Sequence, residues 1–372
     1  MQKHLEEQAN IVEEVLSGQG IDARVGGGTL SPRLVHFALK LPPGMGLRRL
    51  IPALPELADR LGVEAVRLAR DGESGAPTLE VPRPDPLPVR LLPLAQSVAE
   101  IAPPCTATLG RDVTGAPLLL RLDAPEVGPV LITGDSGSGK SALLQGMALS
   151  LGLHNGPDTL RMLLLDLSGP GRRAARHGTW SELGALPHLV GAPVREIHEA
   201  RLRLGWAARL AEARAEQAEY GEPIEGANLV VLLDGLDALL AGRDGAGIEG
   251  AIRTIAGGRH LGVQLVAAGS APALGELVGW GARVVGRMPD AETAALAAGL
   301  RGTGAEGLLG KGDFLAVLGG DVTRLQAGFA TPAEAAQTAE LLGACAAGEN
   351  PAEGRRLRQP RLRPTQALKY GS

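Results

Sequence analysis

Four stretches of the chain are apolar almost without interruption: "PVLITG" at 129–134, "RMLLLDL" at 161–167, "NLVVLLD" at 228–234 and "VQLVAAG" at 263–269. A strand with one face in water alternates apolar and polar residues, so runs without alternation predict strands covered on both faces, as in a doubly wound, mostly parallel sheet. Between the second and third runs, "EIHEARLRLGWAARLAEARAEQAEY" repeats Leu202, Trp206 and Leu210 every four residues among Arg and Glu. That spacing predicts an amphipathic helix. Further on, "GDFLAVLGGDVTRLQAGF" reads as two strands joined by a Gly-Gly-Asp turn.

The first 95 residues have a different rhythm. Helix ("HLEEQANIVEEVLSGQG"), strand ("IDARV"), strand ("RLVHFALKL"), helix ("LRRLIPALPELADRLG") and two short strands ("AVRLA", "PTLEV") predict a small N-terminal α/β domain with its own sheet. The glycine clusters at 17–20 and 25–28 lack a strand-to-helix context and are expected to be turns. Five prolines in "VPRPDPLPVRLLPL" place the junction there. The expected organisation is an α/β domain over 1–95, a P-loop domain over 96–348 and a basic tail over 349–372, where a Pro- and Gln-rich, Arg-rich composition reads as a solvated linker or a nucleic-acid contact.

Composition narrows the classes. At 372 residues and 44% hydrophobic content the chain is long enough for two or three folded domains. Its two cysteines, Cys105 and Cys345, form neither a CxxC pair nor a cluster with His, which argues against a disulfide scaffold or a zinc site and fits a reducing cytoplasm. No apolar run reaches the roughly 18 residues needed to span a bilayer, and the acidic, amphipathic start is unlike a secretory signal, so a soluble, cytoplasmic protein is expected. A net charge of −4 offers no global attraction to nucleic acid, so any such site must be a local patch.

"GDSGSGKS", Gly134 to Ser141, fits the pattern G-x-x-x-x-G-K-[ST], with a predicted strand before it and a helix after it. Glycines at 134, 137 and 139 let the backbone curl into a nest of inward N–H groups at a positive helix end. The predicted nucleotide-binding residues are Gly134, Gly137, Ser138, Gly139, Lys140, Ser141 and Ala142. Lys140, one of only five lysines, is expected on the β and γ phosphates of ATP, and the Ser141 hydroxyl on Mg²⁺. Asp234, ending the third apolar run, is placed to hold the Mg²⁺ shell. The next residue is Gly235, where ATPases of this kind usually carry a Glu that polarises the attacking water. A general base contributes about 10² to 10⁴ in rate, so its loss should slow hydrolysis unless another acid takes over. Asp166 and Asp237 are the candidates, although Asp237 reads first as a helix-start cap.

With loop, acid and strand order in place, the chain resembles the motor of the FtsK/SpoIIIE family of DNA translocases over nearly its whole length. The stretches that carry the resemblance are "ATLGRDVTGAPLLLRL", "GALPHLVGAPV", "GGRHLGVQLVAAGSAP" and "GAEGLLGKGDFLAVL". The resemblance implies a RecA-like fold, a ring of six identical subunits around double-stranded DNA and ATP-driven translocation. By it, Lys140, Ser141 and Asp234 take the nucleotide and metal roles, and Arg259 falls on the arginine finger that one subunit lends another. Gly235 replaces the family's Glu, Ser270-Ala271 replaces Gln-Arg, and "LDLSG" replaces Asp-Pro-Lys-Gly. With 2% aromatics the chain offers little base stacking, which favours a duplex over single strands. Two other readings stay open: a catalytically silent nucleotide-binding ring component, or an FtsK-like ATPase of a protein secretion system.

Overall fold

The computed structural model describes residues 2–70, 75–168, 180–241 and 245–348; the basic tail at 349–372 lies outside them. Among the described residues, the first body is built from α1 (Gln2–Gly18), β1 (Arg24–Leu30), β2 (Leu34–Lys40), α2 (Leu54–Leu61), β3 (Arg67–Arg70) and β4 (Pro77–Pro82). Its strands pair antiparallel in the order β1-β2-β4-β3. Val12 and Leu16 of α1, Phe37 of β2, Leu57 of α2 and Leu79 of β4 are all buried in one core. The glycines at 25–28 are not a turn, as the sequence predicts, but the middle of β1. This strand lies at the sheet edge with its side chains largely exposed, and its register slips between Val25 and Gly27. An edge strand has no buried face to fill, so it tolerates glycines that would weaken an inner one.

The second body contains α3 (Leu91–Val98), β5 (Thr106–Asp112), β6 (Pro117–Arg121), β7 (Val130–Thr133), α4 (Lys140–His154), β8 (Leu160–Asp166), α5 (Ile197–Glu219), β9 (Asn228–Asp234), α6 (Leu236–Leu240), α7 (Gly245–Gly257), β10 (Val263–Gly269), β11 (Ala282–Val285), α8 (Ala291–Ala298), β12 (Asp313–Leu318), β13 (Asp321–Ala327) and α9 (Pro332–Ala346). Its nine strands run β6-β5-β13-β12-β11-β7-β10-β9-β8. From β11 to β8 all pairings are parallel, and from β11 to β6 all are antiparallel. The parallel half carries the four apolar runs, and alternate residues of each run enter different cores. Ile132, Leu164 and Leu232 meet Leu144 and Met147 of α4, whereas Leu131, Leu163, Leu233 and Leu265 meet α5, α6 and α7. Burying one such side chain contributes about 1.5–3 kcal/mol relative to leaving it exposed, so the uninterrupted runs are the strands that most need cover on both faces. The fold class expected from the sequence holds, with a four-strand antiparallel extension curling from one edge.

The face of α5 differs from the sequence reading. Leu202 is 60% exposed and Trp206 36% exposed, while Ala200, Leu204, Ala207, Ala208 and Ala211 are buried. Small side chains allow α5 to lie close to α7 and the sheet; Leu202 and Trp206 fall outside that seam, whereas Leu210 packs partly buried against it. Helix α9 starts with a reciprocal cap, in which Thr331 and Glu334 satisfy each other's backbone N–H groups and Pro332 follows at the first helical position.

The two bodies meet through a buried ion network. Arg324 of β13 donates to both carboxylate oxygens of Asp313 in β12, at 2.9 and 2.7 Å, and to Glu80 of β4. Glu80 also accepts from Arg67 at 3.3 Å and lies 3.8 Å from His36. Burial opposes the charge of Arg324, but Asp313 and Glu80 more than compensate and hold it above the usual guanidinium range. No helix among the described residues is long and apolar enough to cross a membrane.

Candidate nucleotide site

In the parallel half the strand ends are level. Register pairs Asp166 with Asp234, Asp234 with Ala268, and Gly269 with Thr133. Strands in a sheet are about 4.8 Å apart, so Asp234 stands roughly 10 Å and Asp166 roughly 14 Å from the end of β7 along this row. The crevice beyond strand C-termini is where open α/β sheets bind ligands. Thr133 hands over there to the glycine-rich loop, which leads into α4 at Lys140.

The loop is shaped by its glycines and held from outside. Gly139 has φ +106, and a Cβ there would lie 2.9 Å from Gly312 N, so only glycine fits without displacing the neighbouring segment. That segment grips the loop's outer edge: Lys311 N donates to Gly137 O at 3.1 Å and Gly312 N to Ser138 O at 2.6 Å. Lys140 folds back over the loop, its Nζ 2.6 Å from Gly134 O and 3.1 Å from Asp135 O. Burial lowers the pKa of this ammonium, and Asp234, Asp237 and Asp135 oppose the shift. Ser141 and Ala142 open the helix, half-buried.

Asp234 is 2% exposed. Burial raises its pKa; hydrogen bonds from Ser141 and Ser168 and the charge of Lys140 pull it down, and Asp166 pushes it further up. Its Oδ2, Thr133 Oγ1 and Ser138 Oγ are buried without a hydrogen-bond partner. Orphaned buried oxygens cost free energy unless something satisfies them. Asp234, bonded to Ser141 beside the glycine loop and the Lys140 ammonium, fits a polyanion accompanied by a hard cation, while Ser138 Oγ lies against Gly134 and Gly286. A hydroxyl and a carboxylate are the oxygen donors Mg²⁺ takes from a protein.

Gly235 follows Asp234 with φ +88. A Cβ at this position would lie 2.5 Å from the carbonyl carbon and oxygen of Leu167 and 2.7 Å from Ser168 N. The strand exits are locked together, Leu167 N donating to Asp234 O at 2.7 Å and Gly235 N to Ala268 O at 3.0 Å. No side chain can occupy position 235 while the β8 exit holds this course. Asp237 does not cap its own helix; its carboxylate accepts from Ser270 N at 2.6 Å and Ala271 N at 2.9 Å, fixing the chain that leaves β10. Asp166 accepts from Ser168 Oγ at 3.0 Å and lies 3.7 Å from Arg195 Nε.

Arg259 is not part of this cluster. It is exposed, in a short 3-10 turn ahead of β10, with Nη1 near Gly128 on the segment that enters β7. The six steps from Val263 to Gly269 span about 20 Å, so it stands at the opposite end of the sheet from the loop of its own chain. Sequence reasoning missed Thr133, Ser168 and the backing segment at 310–312. The last was visible as "LLGKGD", whose alternating glycines allow close backbone approach.

This site and strand order define a P-loop NTPase fold. Residues 96–219 match the model of the FtsK/SpoIIIE family. The chain is 28% identical over 328 residues to the DNA translocase FtsK of Caldanaerobacter subterraneus subsp. tengcongensis, covering 83% of this chain and 45% of that protein. These matches show the resemblance to the FtsK/SpoIIIE family, and the chain spans less than half the length of that relative. Among solved structures, the pCW3 conjugation coupling protein TcpA, bound to ATPγS, superposes with a TM-score of 0.55 at 16% identity, covering 87% of this chain and 95% of that one. The cytoplasmic domain of the type VII secretion ATPase EccC of Thermomonospora curvata gives 0.53 at 20% identity, covering 67% and 32%. At these identities the two structures carry the fold alone.

Proposed function

We propose that this chain is an ATP-driven motor on double-stranded DNA of the FtsK type, acting as a ring of identical copies, six by the family resemblance. The division into an N-terminal domain at 1–95, a motor domain at 96–348 and a basic tail is part of that reading. The observation that carries it is a glycine-lined loop at the strand ends whose Lys140 and Ser141 lie beside the buried carboxylate of Asp234, in a chain similar to DNA translocases. The amides of Gly137, Gly139, Lys140 and Ser141 would face the phosphates, that of Ser138 being bonded to Asp135 O within the loop. Lys140 would exchange its two loop carbonyls for phosphate oxygens, and Ser141 with Asp234 would hold Mg²⁺. When bound, the ion neutralises charge on the β and γ phosphates. Low aromatic content favours a duplex tracked through phosphate contacts, and a net charge of −4 confines those contacts to a local surface.

The position of Arg259, about 20 Å from its own loop, supports a role at a neighbouring copy's site, where such a finger contributes about 10³ to 10⁵ in rate. Mixing tests this directly. Lys140→Ala and Arg259→Ala proteins should each be inactive, and their mixture should regain turnover at interfaces pairing an intact lysine with an intact arginine. A mixture as inactive as its components excludes the shared site.

One observation favours a second reading. With no room for an acid at 235, the chain would bind nucleotide for assembly or as a DNA clamp and turn it over slowly. Asp166 is the remaining acid at the strand ends that is free of backbone capping. Steady-state ATP hydrolysis with and without linear duplex, beside Lys140→Ala, separates the two. Duplex-stimulated turnover abolished by that substitution supports the motor, and nucleotide binding without turnover supports the clamp.

A further inference from the structure

The backing segment of the phosphate loop is itself held from the other body. Arg33 lies in the turn between β1 and β2, half-buried. Its Nη1 donates to Gly310 O at 2.6 Å and to Lys311 O at 3.1 Å. Those oxygens belong to the same two peptide groups whose N–H ends, Lys311 N and Gly312 N, donate to Gly137 O and Ser138 O. Each peptide is gripped at its oxygen by the guanidinium and at its nitrogen by the loop. The accepting carbonyls are in turn joined by resonance to the amides of Ser138, which donates to Asp135 O at 3.1 Å and so closes the loop, and of Gly139, at the loop's entry to α4.

Hydrogen bonds in series polarise one another, and a cation at one end makes every N–H along the series a stronger donor. Lys311 adds a mechanical element. Its φ of +52 is in the left-handed region that side-chain-bearing residues avoid, so something must hold it there. Arg33 bonds the carbonyls on both sides of its Cα, and Gln326 Nε2 adds a weaker contact to Lys311 O at 3.2 Å. The docking of β3 and β4 through Arg67, Glu80 and Arg324 keeps the turn that carries Arg33 in place.

We propose that Arg33 is a positioning residue for the phosphate loop, acting through the 310–311 and 311–312 peptides, so that affinity for a nucleoside triphosphate depends on the seating of the N-terminal sheet. This rests on the nucleotide-binding reading above. The N-terminal body would therefore answer to the loaded state of the site without touching the nucleotide.

The test uses the full chain, amide hydrogen exchange without nucleotide, and titration with magnesium ATPγS. Arg33→Ala should leave the melting temperature close to that of the wild type, speed exchange of the Lys311 and Gly312 amides about tenfold or more, and weaken ATPγS binding about tenfold, as expected for a charged hydrogen bond. Adding Lys311→Gly to Arg33→Ala should restore most of the affinity, because glycine adopts the left-handed conformation unaided. A merely structural role of Arg33 in its own sheet would not respond to a change at 311. Unchanged exchange in Arg33→Ala overturns the inference, and so does a loosened loop with undiminished affinity. Should the wild type bind no ATPγS, the nucleotide reading fails, and exchange at 311 and 312 still decides whether Arg33 holds the loop.

Discussion

The two sides of the strand-end crevice follow opposite rules. On the β7 side, glycines, lysine and serine stand at the spacing a phosphate nest requires, with Asp234 of β9 bonded to Ser141 of the loop and two buried hydroxyls, Thr133 Oγ1 and Ser138 Oγ, without partners. On the β9 side, the space a side chain at 235 would enter, where the family resemblance implies a water-polarising acid, is filled by the backbone of Leu167 and Ser168. The contrast shows that a glycine can be demanded by the main chain packed around it. Here the neighbouring strand exit occupies the space a side chain at 235 would need, so the main chain of Leu167 and Ser168 sets that side of the crevice.

The most severe way to break this contrast is to return the missing acid. Gly235→Glu places a side chain on a left-handed residue, costing about 1–2 kcal/mol, and drives a Cβ into a packed backbone, costing about 1–3 kcal/mol more. Urea unfolding should therefore show a loss of roughly 2–5 kcal/mol, with no gain in ATP turnover. A stable variant with faster hydrolysis would mean that position 235 is open.

Asp237→Ala probes the same side more gently. It strips two backbone N–H groups of their acceptor at the exit of β10, where solvent can partly replace it, so a stability loss of about 1–2 kcal/mol is expected. Nucleotide affinity should stay close to that of the wild type. A large loss of turnover with unchanged stability would instead make Asp237 a catalytic group.

The smallest effect belongs to the gripping side and has the opposite sign. Asp234 has its pKa raised by burial, so in the nucleotide-free protein it contributes stability below the unfolded-state carboxylate value and loses it as pH rises through the raised folded value. Above that raised value the buried charge is a burden. Asp234→Asn should melt at a higher temperature than the wild type there, the difference vanishing in acid, while binding magnesium nucleotide poorly. Melting curves across a pH series check this, and an unchanged or lower melting temperature above that value would contradict it.

Legibility in the sequence follows the range of the interactions. The uninterrupted apolar runs and the loop between Thr133 and Lys140 are local patterns, and strand, loop and helix appear where those patterns put them. The exposed Leu202 and Trp206 show what a local pattern lacks, since the seam of α5 is set by how closely alanines let it approach α7 and the sheet. Glycines at 26–28 read as a turn because nothing local says that their strand is an edge. The closure at Gly235 and the hold of Arg33 on Gly310 join residues far apart in the chain, and no spacing rule reaches them. Asp234 and Gly235 were visible as letters, but only the course of the β8 exit explains why the second must be glycine.

Most directly at stake is whether the loop grips nucleotide while the closed side leaves that grip intact. Equilibrium titration of the purified chain with magnesium ATPγS, beside Lys140→Ala, measures it. The account predicts saturable binding by the wild type, weakened roughly a hundredfold in the variant through loss of charged hydrogen bonds to phosphate, with the fold unchanged by circular dichroism. Equal binding by both proteins, or none by the wild type, would contradict it.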